Sequence, residues 1–158
     1  MRLFLSVVGV VLLFLALGGC VRPPKITAPE QRKEAVINAD KDKVWQMLVA
    51  TVGMSLPLET MDKSTGLMTT KQVALPVGFN NQGMEDFVYP PEVVMGTWDG
   101  MRMSLRILVS DIGQNKTMVK INASYLVWEN NVLKTWMNAP SNGSFENGIL
   151  TALEKGKR

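Results

Sequence analysis

The chain has 158 residues, with 17 basic and 14 acidic side chains, a formal net charge of +3 and no histidine. That near balance gives no electrostatic case for nucleic acid. Without histidine the commonest general base and metal ligand are missing, along with the Ser-His-Asp triad and Cys/His zinc sites, so neither catalysis nor a metal or cofactor is expected.

The chain opens on a leader. Arg2 is the only charge ahead of the apolar run Leu3 to Leu17, "LFLSVVGVVLLFLAL". About 15 apolar residues fall short of the roughly 20 that span a bilayer as a helix, so a cleavable export signal is expected over residues 1–19. The only cysteine follows directly, in Leu17-Gly18-Gly19-Cys20. These four residues resemble the bacterial lipobox, in which an aliphatic residue and two small ones precede a cysteine that is cleaved and lipidated. The resemblance implies a cut between Gly19 and Cys20, diacylglycerol on the Cys20 sulfur and acylation of the new amino terminus. One acyl chain holds a protein only marginally, at about 0.8 kcal/mol per buried methylene, whereas three make a firm anchor. The short apolar run and its small residues favour this reading over an ordinary secretory signal or an uncleaved anchor. Val21 stands where an inner-membrane retention signal would show Asp. That favours the outer membrane of a Gram-negative cell, with the domain facing the periplasm. With Cys20 lipidated no disulfide is possible, and stability rests on packing.

Residues 20–33 carry the lipidated cysteine and then "VRPPKITAPEQRK", three prolines with few large apolar groups. An extended tether is expected, some 40 Å long at about 3.1 Å per residue, and equally a terminus with no fixed structure. A single domain is expected over 34–158. "EAVINAD" at 34–40 offers a short strand through Ala35, Val36 and Ile37, then Asp40 as a helix N-cap with Asp42 in the first turn. The helix "KDKVWQMLVATV" sets Val44, Trp45, Leu48, Thr51 and Val52 on one broad face, and Gly53 is expected to end it. "MSLPLETMDKSTGLMTTKQV" reads as two strands about the turn Asp62 to Gly66, the first an edge because Pro57 cannot donate to a ladder.

Residues 74–96 hold three glycines and three prolines, no clear period, and Phe79, Phe87 and Tyr89. Long irregular segments of this kind are often functional. "MRMSLRILV" then alternates Met101, Met103, Leu105, Ile107 and Val109 against Arg102, Ser104 and Arg106, and "TMVKINASYLV" alternates Val119, Ile121, Ala123, Tyr125 and Val127 against Met118, Lys120, Asn122 and Ser124. A long antiparallel hairpin with one apolar and one wet face follows. The closing helix, from about Ser144, turns Phe145, Ile149, Leu150 and Leu153 to the core and ends in Lys155, Lys157 and Arg158. The expected fold is α+β, an antiparallel sheet with two helices packed on one face, in the order β, α, ββ, long loop, ββ, α.

That order, with "DKDKVWQMLVATVGMSLPLETMDKSTGLMTT" at its head and "SNGSFENGILTAL" near its tail, resembles the helix-grip domains of BamC, a lipoprotein of the outer-membrane barrel assembly machinery. The matching positions, Asp40, Trp45, Gly53, Asp62 and Gly66, are structural. BamC carries two such domains and a long amino-terminal segment that lies on its partner; this chain has one domain and a short tether. The resemblance implies a membrane-anchored interaction or assembly module with an envelope protein partner, in outer-membrane protein assembly. The alternative is a carrier that grips a small hydrophobic ligand between helices and sheet.

Candidate partner contacts are Phe79, Phe87 and Tyr89 in the 74–96 segment, and Trp128 and Trp136 in "WENNVLKTWMNAPSNG". The two tryptophans serve either as a partner surface, where tryptophan is enriched, or as caps on the open end of the sandwich. Met101 and Met103 are assigned to the core rather than to soft copper(I) binding, because their face continues through Leu105 and Ile107. Glu85, Asp86 and Glu92 have no accompanying nucleophile or metal set and read as solvated loop charges. Met47, Met54, Met61 and Met68 recur every seven residues, but Gly53, Pro57 and Gly66 interrupt any coiled-coil seam.

Overall fold

A computed structural model describes residues 31–75, 83–89, 91, 93 and 96–156. The expected leader, its expected cleavage site at Gly19–Cys20, the expected tether up to residue 30, Phe79, Glu92, Lys157 and Arg158 lie outside the described residues. The elements run β1 (Glu34–Ile37), α1 (Lys41–Gly53), β2 (Leu58–Asp62), β3 (Leu67–Thr70), β4 (Val73–Leu75), β5 (Trp98–Asp111), β6 (Thr117–Glu129), β7 (Thr135–Ala139) and α2 (Ser144–Lys155). The chain is α+β, with an antiparallel sheet and two helices.

The alternating hairpin is the spine. β5 and β6 pair over their whole length, with Met103 opposite Tyr125 and Ile107 opposite Ile121. Each spine strand carries two short strands end to end on its outer side. β3 and then β4 flank β5, β1 and β7 flank β6, and β2 closes the β3 side as an edge beginning just after Pro57. Where β3 gives way to β4 the ladder has a gap. The buried Thr70 hydroxyl fills it by accepting the Leu105 N–H at 2.9 Å.

One face of this sheet is dry. Met101, Met103, Leu105, Ile107, Val109, Val119, Ile121, Tyr125 and Val127 are all buried on it, which settles Met101 and Met103 as core. The helices cover that face. α1 contributes Val44, Trp45, Leu48 and Val52, and α2 contributes Ile149, Leu150 and Leu153. Each large apolar side chain so buried contributes about 1.5–3 kcal/mol. Asp40 accepts from the Lys43 N–H at 2.7 Å as the α1 N-cap, worth about 1 kcal/mol. α1 runs through Gly53 rather than stopping before it, and closes on Met54 in an ordinary right-handed conformation.

α2 begins differently. Its N-cap Gly143 has no side chain, and the capping job passes to residues around it. Glu146, fully buried in the first turn, accepts the Ser141 hydroxyl at 2.9 Å, and Ser141 Oγ in turn accepts the Gly143 N–H at 3.0 Å. This is a capping box with one hydroxyl inserted into it. The other Glu146 oxygen takes the Ala123 N–H of β6 at 3.2 Å, so the carboxylate also ties helix to sheet.

Two strands depart from expectation. β4 occupies the start of the segment read as irregular from residue 74, because Val73 to Leu75 find the free side of β5 opposite Met101 to Met103. β7 lies in the stretch read as a connection between the last strand and the last helix. Its five residues carry few β-branched side chains, and cross-strand pairing with β6 makes it a strand.

Candidate functional site

The five partner-contact candidates separate. Phe79 lies outside the described residues. Phe87 is half-buried and meets Phe145 at 6.4 Å between ring centroids, on the helix side of the molecule. Tyr89 is half-buried nearby, where its N–H donates to the Pro140 carbonyl at 2.9 Å and Val88 bridges to Ser141. Trp128 and Trp136 are on the opposite side, and the structure brings these two together.

Their meeting follows from hairpin register. β6 and β7 pair Trp128 with Trp136, between Val127–Met137 on the dry face and Glu129–Thr135 at the turn. Both indoles therefore stand on the sheet face turned away from the helices, with centroids 5.5 Å apart and planes tilted by 58°. The Arg102 guanidinium lies over the Trp136 ring at 4.2 Å, a cation–π contact. Gly100 makes room for the two tryptophans: a Cβ there would sit 3.3 Å from the Trp136 ring and 3.4 Å from Trp128 Cβ. Leu126 and Asn138 form the next row, level with Arg102. The result is an aromatic and basic platform on the sheet's outer face, where Arg106, Lys120, Asn122 and Ser124 lie alongside Leu108, Met118 and Leu126.

The turn above the platform is held by one carboxylate. Glu129 is completely covered, wrapped by its own hairpin rather than sunk among the helices. It accepts backbone N–H groups from Thr97 at 3.2 Å, Asn131 at 2.9 Å, Val132 at 3.0 Å, Lys134 at 3.2 Å and also Leu133. Burial opposes the charge, but the N–H groups of Leu133, Val132, Asn131 and Thr97 outweigh it and bring the carboxyl down to about 2. Lys134 takes a left-handed backbone, φ 48°, to close the turn. Asn130 adds side-chain bonds to Thr97 and Asp99. What this arrangement displays is apolar: Val132 and Leu133 stand 55% and 52% exposed at the tip.

A second feature lies between the helices. Val52, Leu56, Phe87, Phe145, Ile149 and Ala152 line an open apolar groove of about 310 Å³, with Thr51, Ser55 and Ser144 in its walls. It is a surface groove, on the helix layer and not beneath the sheet. Phe145, expected in the core, sits half-buried in its wall.

Among the described residues no cluster of three or more His, Cys, Asp or Glu is placed to hold a metal, and no helix is long and apolar enough to cross a membrane. Glu85 and Asp86 are exposed. The sequence reading missed Glu129, Val132, Leu133 and the stacking of Arg102. The available signal was two tryptophans placed about "ENNVLK", whose asparagines mark a turn and make the pair a cross-strand one. Compared with known proteins, the chain matches no family model and no curated protein.

Proposed function

We propose that this is a lipoprotein anchored to the outer membrane through Cys20, whose single periplasmic domain, of the helix-grip kind, is a non-catalytic interaction module for an envelope protein in outer-membrane protein assembly. The observation that carries the reading is the Trp128–Trp136–Arg102 platform over Gly100. Tryptophan and arginine are the side chains most enriched at binding hot spots, and here they are locked by cross-strand packing before any partner arrives. A preformed aromatic surface loses little side-chain entropy on binding. On the sheet's outer face it has no role in the core.

A photo-cross-linking residue at Asn138, beside the platform, tests the reading in cells making the lipidated chain. The expected result is one reproducible protein adduct, weakened about tenfold or more by Trp136→Ala and lost when Cys20→Ser removes the anchor. Adducts that are absent, or unaffected by Trp136→Ala, would reject the platform as the contact.

The helix-layer groove favours a second reading, a carrier of a small hydrophobic molecule seated between Phe87, Phe145 and Ile149. Organic extraction of the purified chain followed by mass spectrometry decides it. A stoichiometric hydrophobe that Phe145→Asp abolishes would favour the carrier over the module.

A further inference from the structure

We infer that the Val132–Leu133 tip of the β6–β7 hairpin seats on the anionic lipid surface of the membrane that holds the anchor, giving the domain a second membrane contact and standing its sheet upright. The inference rests on the tethered-module reading and concerns the tip, next to the platform rather than on it.

Direction is the first argument. β1 runs antiparallel to β6, with Glu34 opposite Lys120 and Ile37 opposite Thr117. Followed backwards from Glu34, the chain therefore heads toward the carboxyl end of β6, where the tip is. Lys33 still accepts from the Ile121 N–H at 2.8 Å, and Gln31 donates its N–H to the Asn142 carbonyl at 2.9 Å, so this heading is held up to the last described residue. At Gln31 the described chain thus points toward the end of the sheet that carries the tip.

Length is the second. From Ile121 to Val132 the chain climbs roughly 35 Å at strand rise. At polyproline rise, the sequence from Lys33 back to Cys20 would be long enough to reach roughly 40 Å. An anchor in the bilayer would thus reach the plane of the tip with little to spare.

Chemistry is the third. Two adjacent aliphatic side chains more than half exposed, on a turn fixed by five backbone bonds to Glu129, form a rigid apolar point. Lys134 follows them directly, and the Trp128–Trp136 pair lies below, in the order of apolar point, cation and indoles that suits entry into a headgroup layer. The nearby acidic groups are engaged: Glu129 is wrapped, and Asp99 accepts the Asn130 amide.

The test uses the chain from residue 20 onward with Cys20→Ser, which keeps every described residue and removes the acyl chains. Leu133→Cys carries an environment-sensitive fluorophore, and Lys116→Cys, in the β5–β6 turn at the opposite end, carries the same label as control. With vesicles of phosphatidylethanolamine and phosphatidylglycerol, emission is expected to rise and shift to the blue at position 133 only, and less so with phosphatidylcholine alone. Leu133→Asp in the unlabelled chain should lower the vesicle-bound fraction about tenfold, as removal of one apolar side chain from the interface requires. Unchanged core amide exchange would show that this variant folds. No change at 133, or equal changes at 133 and 116, overturns the inference. A photo-cross-linker at 133 that captures a protein instead of lipid in cells also overturns it. The Asn138 adduct is read separately, so the module reading survives or falls on its own.

Discussion

Tyr125 and Glu129 both lie on β6 and solve opposite problems. Tyr125 is buried with its hydroxyl in no hydrogen-bonding geometry, and burial together with the Glu146 charge pushes its ionisation well up, the nearby Ser141 hydroxyl pulling weakly the other way. A buried unpaired hydroxyl costs about 1–3 kcal/mol. Tyr125→Phe keeps the ring and removes the cost, so thermal or urea unfolding should show a stabilisation of about 1 kcal/mol. Glu129 has more donors than it has oxygens. Its carboxyl is depressed to about 2 in the fold, so the stability it contributes is complete above the ordinary carboxylate range and is lost as pH falls through about 2. Protection of the Asn131, Val132 and Leu133 amides, relative to their intrinsic exchange rates, should hold from neutral pH to about 4 and fall toward 2. Glu129→Gln should accelerate the same amides already at neutral pH while β5 and β6 amides hold. Protection lost first in the spine instead would mean that Glu129 supports the core and not the turn.

At the level of elements, the readable ones were those that carry their own period or their own cap. The Met101 to Val109 alternation, the Asp40 cap and the Asp62 to Gly66 turn lie where sequence reading puts them. Asp62 shows why: its carboxylate takes the Ser64 hydroxyl at 2.6 Å and the Ser64 N–H at 2.9 Å, with Thr65 close by, and these bonds bring its carboxyl down to about 2. Gly66, φ 76°, completes the turn pressed against β5: its carbonyl accepts the Val109 N–H at 2.9 Å, and an added Cβ would lie 2.0 Å from the Val109 carbonyl oxygen. Gly66→Ala should therefore cost about 3 kcal/mol, combining a left-handed alanine with a backbone clash, as measured by urea unfolding. β4 and β7 were not legible because neither holds itself. Val73 to Leu75 is three residues long, and Thr135 to Ala139 has only Trp136 and Met137 as large groups; each becomes a strand because a spine strand offers an unpaired edge. The candidate site shared that fate. Trp128 and Trp136 were visible as residues, but their contact, the Arg102 stack and the Glu129 turn all depend on β7.

For the molecule as a whole, the first described residues are tied down as carefully as the site. Arg32 forks onto Glu154 with both bonds at 2.8 Å, and also meets Asn147 at 2.7 Å and Thr151 at 3.3 Å, one face of α2 read over two turns. The pair is exposed and open to salt screening, so Arg32→Ala should cost only about 0.5–1 kcal/mol, less in high salt, by urea unfolding. Its larger meaning is mechanical. Under the lipid anchor proposed above, a pull would enter the described chain at Gln31, and β1 lies along that direction, zipped to β6 through Glu34, Ala35, Val36 and Ile37. Such a pull would shear these pairs together instead of peeling them one by one, with the Arg32 fork bearing load ahead of them. Held that way, the domain would yield late under force, and its weak direction would lie across the sheet.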